Sequence, residues 1–110
     1  MDIPEIDTET AAARLAEGSA LFMDVRDGGS YEAGHIPGAQ LVSDETIADF
    51  LEETDRSQPI IVYCYHGNNS RGGTAYLLQH GFQDVCSLAG GFEAWRGQNP
   101  AETGPGQISG

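Results

Sequence analysis

Lysine is absent from this chain of 110 residues, and the positive side of its charge rests on five arginines against 17 acidic residues, a formal net charge of -12. Nucleic acid and anionic membrane reward basic surfaces, so this balance argues against both as partners. The composition fits a saline habitat or a genome that writes arginine in place of lysine, and both readings stay open. Cysteine is scarce as well, with Cys64 and Cys86 alone. A reducing compartment disfavours a structural disulfide between the two, so each thiol needs its own explanation. No apolar run approaches the roughly 20 residues needed to cross a bilayer. The opening MDIPEIDTE is acidic where a secretion signal would be basic and then apolar, so a cytoplasmic protein is expected. The length suits one domain with a single core.

The apolar pattern alternates between strand-like and helix-like stretches. Ile3 to Ile6 reads as a short strand, and Asp7 or Thr8 can cap a helix carrying Ala12 and Leu15 that Gly18 closes. LFMDV at 21–25 reads as a buried strand, followed by a loop with one helical turn near Tyr31 to Gly34. Asp44 is placed to cap a helix with Ile47, Phe50 and Leu51 on one face. IIVYC at 60–64 is the strongest strand signal. Arg71 to His80 predicts a helix stopped by Gly81, 84–88 a further strand, and a last helix opens at about Gly91. Such alternation predicts an α/β fold, an open parallel sheet with helices on both faces. Ligands bind such sheets beyond the carboxyl ends of the strands, where Cys64 falls. Residues 1–102 are expected to form the domain and 103–110 a flexible tail.

The stretch CYHGNNSR, residues 64–71, places a thiol between a strand end and a helix start. First-turn amides have no intrahelical partner and carry the positive end of the helix dipole, so an anion is welcome there. If the backbone of Tyr65, His66, Gly67, Asn68, Asn69 and Ser70 curls around the sulfur, successive N–H groups converge on it as a nest. Gly67 eases that turn, and asparagines tolerate left-handed backbone. Lowering a thiol pKa from about 8.5 to about 6.5 raises the thiolate fraction at neutral pH about 25-fold. A Brønsted slope near 0.45 takes back about eightfold in nucleophilicity, leaving about threefold. The cradle therefore matters more for holding charged substrate, transition state and intermediate than for activating the thiol.

Three segments in order resemble the rhodanese family of sulfurtransferases, and in particular its small single-domain thiosulfate sulfurtransferases: DVRDGGSYEAGHIPGA at 24–39, CYHGNNS at 64–70 and GGFEAW at 90–95. The likeness runs from about Ile6 to Glu102. It implies a single rhodanese-like domain with an open parallel sheet of about five strands. It also implies a catalytic Cys64 that takes a sulfane sulfur from thiosulfate as a persulfide and passes it to cyanide, a small thiol or a thioredoxin-like protein, in a ping-pong cycle. Residues 65–71 would form the substrate cradle, and no metal or organic cofactor is called for. A monomer or homodimer is expected. Asn69 stands where a serine is expected in similar proteins. Mercaptopyruvate, as an alternative donor, would find no arginine cluster for its carboxylate.

The remaining candidates divide between chemistry and architecture. His66 reads as solvent-facing or loop-bracing, since transfer from thiosulfate removes no proton once the thiolate exists. Arg71 either draws in the anion or forms a surface ion pair, and Ser70 is the expected helix cap with its N–H still free for the cradle. The resemblance favours structural roles for Asp24 and Arg26, the latter pairing Glu32, and for His35 as a loop brace. Phe92 and Trp95 read as core, Cys86 as an inward, inert side chain. A cysteine phosphatase or arsenate reductase is a rival, but those loops place arginine six positions after the cysteine, where this chain has Ser70. An idle rhodanese module that binds a partner is the other.

Overall fold

Four consecutive apolar side chains, Ile60, Ile61, Val62 and Tyr63, are all buried, the pattern of a strand covered on both faces. In the computed structural model, which describes residues 3–104, that strand is β4 (Ile60–Tyr63), at the centre of a five-stranded sheet. β1 (Glu5–Ile6), β2 (Leu21–Asp24), β3 (Gln40–Leu41) and β5 (Val85–Leu88) complete it in the order β1-β5-β4-β2-β3, and every pairing is parallel. The helices are α1 (Thr8–Glu17), α2 (Gly28–Ala33), α3 (Ile47–Glu53), α4 (Asn69–Gln79) and α5 (Gly91–Arg96). The expected α/β sheet with helices on both faces is what the chain forms.

Side-chain alternation along the strands sorts the core into two layers. Phe22, Ile61, Tyr63 and Leu88 pack with Ala11 of α1, Tyr31 of α2, and Phe92 and Trp95 of α5. Met23, Ile60, Val62 and Val85 pack on the other face with Phe50 of α3 and Leu77 of α4. Burying each large aliphatic or aromatic side chain contributes about 1.5–3 kcal/mol, so the doubly covered β4 is a rigid support for the residue that follows it. That residue is Cys64.

Local signals set most boundaries. Asp7 caps α1 by accepting from the Thr10 amide at 2.7 Å, and Gly18 closes it in the left-handed conformation. α2 begins earlier than the sequence suggests, at Gly28, because Asp27 accepts from the Ser30 amide at 2.7 Å and offsets two poor helix formers. Asp44 does not cap α3. Thr46 holds the N-cap position without a side-chain capping bond, and the turn before it is closed by the Ser43 amide donating to Thr46 Oγ1 at 2.9 Å and the Glu45 amide to Ser43 Oγ at 3.2 Å. β3 is a two-residue edge strand that the apolar pattern does not reveal. The expected tail, 103–110, lies outside the described residues from position 105 on; Gly104 donates its amide to the Glu32 carbonyl at 2.7 Å. Among the described residues no helix is long and apolar enough to cross a membrane.

Candidate active site

Cys64 leaves β4 with its side chain turned toward α4, and the loop to Asn68 folds back over the sulfur. The Gly67 amide donates to Cys64 Sγ at 3.1 Å and the Ser70 amide at 3.3 Å. The Ser70 hydroxyl lies 3.5 Å from the same sulfur. Burial alone pushes the thiol up. The Ser70 hydroxyl and the amides of Ser70, Gly67 and Asn69 together outweigh that, and the Cys64 pKa falls below the ordinary thiol value. The residue is only 5% exposed, so the donors act on the sulfur with little competition from water.

Two glycines shape this loop. Gly67 has φ +95°, and a Cβ there would stand 3.0 Å from the Gly90 amide nitrogen and 3.3 Å from the Leu88 carbonyl oxygen. Only glycine combines that backbone with that approach. Gly91, at φ +62°, presses even closer: a Cβ would lie 2.5 Å from the Tyr65 carbonyl oxygen and 2.6 Å from that of Cys64. The closeness lets the first-turn amides of α5 clamp the loop, Phe92 N–H on the Cys64 carbonyl at 2.8 Å and Glu93 N–H on the Tyr65 carbonyl at 2.9 Å. With its carbonyls drawn to α5, the loop turns amides toward the sulfur. The sequence reading took GGFEAW as a helix start with core residues and missed this clamp; the paired glycines were the available signal.

The other loop residues occupy distinct places. Tyr65 and His66 are exposed and meet edge to face at 4.6 Å, and His66 is not a hydrogen-bond partner of Sγ. Asn68 and Asn69 are exposed; Asn68 occupies the N-cap position of α4 without a side-chain capping bond. This corrects the expectation that Ser70 is the cap. Ser70 is the second residue of the helix, fully buried, with its hydroxyl 2.6 Å from that of Ser87 on β5. Arg71 donates to Glu5 at 2.9 Å, an exposed pair that ties α4 to the sheet edge. Among rim residues, Glu93 is held below the usual carboxylate range by a hydrogen bond from Tyr65 and by the nearby Arg96, 2.7 Å away.

Asp24 and Arg26 sit beside the site as architecture. Arg26 pairs with the fully buried Asp24 at 2.8 Å and donates to the Gly34 carbonyl at 2.6 Å, so the expected partner Glu32 gives way to Asp24. A buried carboxylate needs a partner this close, whereas Glu32 is exposed and solvated. The guanidinium lies over Phe92, 4.4 Å from the ring centre. His35 is the expected brace, its ring stacked on Tyr31 at 3.8 Å and Nδ1 donating to the Tyr31 carbonyl at 2.7 Å. Cys86 is half-buried against the α1/α5 layer, and burial pushes its thiol up. Ser87 drew no notice in the sequence. A polar residue at an inward position of a buried strand demands a partner, and that was its signal.

The family model of the rhodanese-like domain matches residues 7–98. The chain is 52% identical over 95 residues to the thiosulfate sulfurtransferase GlpE of Pseudomonas fluorescens, covering 86% of this chain and 87% of that one. It is 45% identical to a protein of the same name from Pseudomonas aeruginosa, with 87% of each covered. Among solved structures it superposes on a rhodanese-like domain from Anabaena with a TM-score of 0.81 at 31% identity, covering 94% of this chain and 80% of that one. A rhodanese-like domain protein from Staphylococcus aureus gives 0.75 at 29% identity, covering 84% and 91%. A cysteine loop clamped at the end of a central parallel strand, and a likeness that spans nearly the whole sheet, lead to one conclusion: the chain belongs to the rhodanese-like domain family.

Proposed function

We propose that this protein is a thiosulfate sulfurtransferase that works through a persulfide on Cys64. The observation that carries the reading is the convergence of the Gly67 and Ser70 amides on the Cys64 sulfur at 3.1 and 3.3 Å. The thiolate attacks the outer sulfur of thiosulfate, the S–S bond of the donor breaks, and sulfite leaves with the electron pair. The enzyme keeps Cys64–S–S⁻, whose terminal charge the loop amides hold as they hold the thiolate. An acceptor then attacks that outer sulfur: cyanide leaves as thiocyanate, and a small thiol or a thioredoxin-like protein leaves as a persulfide. Cys64 returns as thiolate, so no proton has to be moved at the sulfur and His66 needs no part as a base.

The relatives named as thiosulfate sulfurtransferases support the choice of donor. A phosphatase reading lacks its cation: six positions after Cys64 stands the buried Ser70, and Arg71 is engaged by Glu5. The test is a single turnover without acceptor. One equivalent of sulfite per chain is expected at once, none from Cys64→Ser, and a steady release without a burst would reject the two-step cycle.

A further inference from the structure

Ser70 and Ser87 are fully buried, and their hydroxyl oxygens lie 2.6 Å apart, with Ser70 Oγ in turn 3.5 Å from Cys64 Sγ. The three groups form a line from β5 through the first turn of α4 to the reactive sulfur. A serine hydroxyl donates one proton and accepts through two lone pairs, so the serine pair can run in either direction. Ionisation of Cys64 removes that freedom. A thiolate only accepts, so the Ser70 hydroxyl must donate to it. The Ser70 oxygen is then left as the acceptor, and Ser87 must be the donor.

We propose that Ser87 is a positioning residue of this site: its hydroxyl orients and polarises the Ser70 hydroxyl onto the ionised Cys64 sulfur. Hydrogen bonds in a chain strengthen one another, by about 10–30% per bond in condensed phase, and low local dielectric favours the effect. Both conditions hold here, since neither serine meets water. The remaining charged groups around the loop do not compete for the sulfur. His66 is exposed, Arg71 is bound by Glu5, Glu93 by Arg96, and Asp24 with Arg26 form their own pair. Cys86, next to Ser87 on β5, points to the opposite face of the sheet, where it packs with the α1/α5 layer. Strand alternation sends Ser87 toward α4 with Val85, which is why this position can reach Ser70.

The test follows the rate of Cys64 alkylation by iodoacetamide against pH, read on the Cys64 peptide so that Cys86 does not contribute. Ser70→Ala is expected to move the midpoint upward, and Ser87→Ala to move it upward by roughly a tenth to a third of that shift. In the Ser70→Ala background, adding Ser87→Ala should leave the midpoint where it is. Ser87→Thr, which keeps the hydroxyl and suits a strand, should restore the wild-type midpoint whatever it does to the melting temperature. A Ser87→Ala midpoint equal to wild type would overturn the proposal, as would a shift that persists undiminished without Ser70. No sulfur donor is present, so the outcome is independent of whether the persulfide cycle is right.

Discussion

Two thiols, one within a strand and one just past the end of the neighbouring strand, are pushed in opposite directions. Cys86 sits within β5, half-buried, and burial pushes its pKa up, with Arg14 and Asp84 as minor opposing neighbours. Cys64 sits one residue past β4, is the more deeply buried of the two, and is pushed down. Exposure therefore does not distinguish them. Inside a strand the nearby amides are committed to the ladder and do not turn onto a side-chain sulfur, so burial decides the Cys86 shift. Past the strand end the amides of Gly67 and Ser70 are free to turn toward the sulfur, because α5 has taken the carbonyls of Cys64 and Tyr65.

The most severe way to break this comparison is to exchange the thiols for hydroxyls. Cys64→Ser should abolish thiocyanate formation from thiosulfate and cyanide, while Cys86→Ser should leave it near wild type. Equal loss in the two variants would erase the distinction. Next in size is the loop itself. Gly67→Ala forces a Cβ onto a left-handed backbone and within 3.0 Å of the Gly90 amide nitrogen. Losing one charge-assisted bond to the sulfur should cost about 10- to 100-fold in kcat/KM, at 1.36 kcal/mol per factor of ten. Alkylation of Cys64 at neutral pH should fall toward that of Cys86 in the same variant.

A smaller effect lies in stability against pH. Cys64, with its folded pKa depressed, contributes stability that is present above the unfolded thiol value of about 8.5 and is lost as pH falls through its folded value. Cys86, with its pKa raised, contributes in the opposite sense: its share is present below about 8.5 and is lost as pH rises through its folded value. Thermal melts across pH should therefore show the Cys64→Ala penalty growing toward alkaline pH and the Cys86→Ala penalty shrinking. Parallel curves would mean that the two thiols are equivalent in the folded protein.

Smallest is the response to salt. All five arginines are engaged, four with carboxylates and Arg56 with the carbonyls of Leu51, Thr54 and His80, so little free positive charge draws in a dianion. The second-order rate with thiosulfate should rise about twofold on going to 0.1 M salt, where screening acts beyond about 10 Å. A steep fall would point to a local positive patch instead.

Much of this was legible in the sequence because the signals are local. The apolar run at 60–63, the Asp7 and Gly18 ends of α1, and a cysteine followed by a glycine-bearing loop each act within a few residues. What escaped depends on distant groups. β3 exists because two residues of an edge pair with Met23 and Asp24. The start of α2 is the exception, a local Asp27 cap masked by the two glycines that follow it. Ser70 is paired with Ser87, 17 positions away, and Gly91 is required by carbonyls some 26 residues earlier in the chain. The residue before Pro or after Gly can be guessed from its neighbours; a hydroxyl paired across the sheet cannot.

The most direct measurement of the central claim is peptide-resolved mass spectrometry after brief treatment with thiosulfate, repeated after cyanide. One added sulfur on the Cys64 peptide, none on the Cys86 peptide, and its loss to cyanide is the predicted result. Sulfur carried by Cys86, or by neither peptide while turnover continues, would contradict the account.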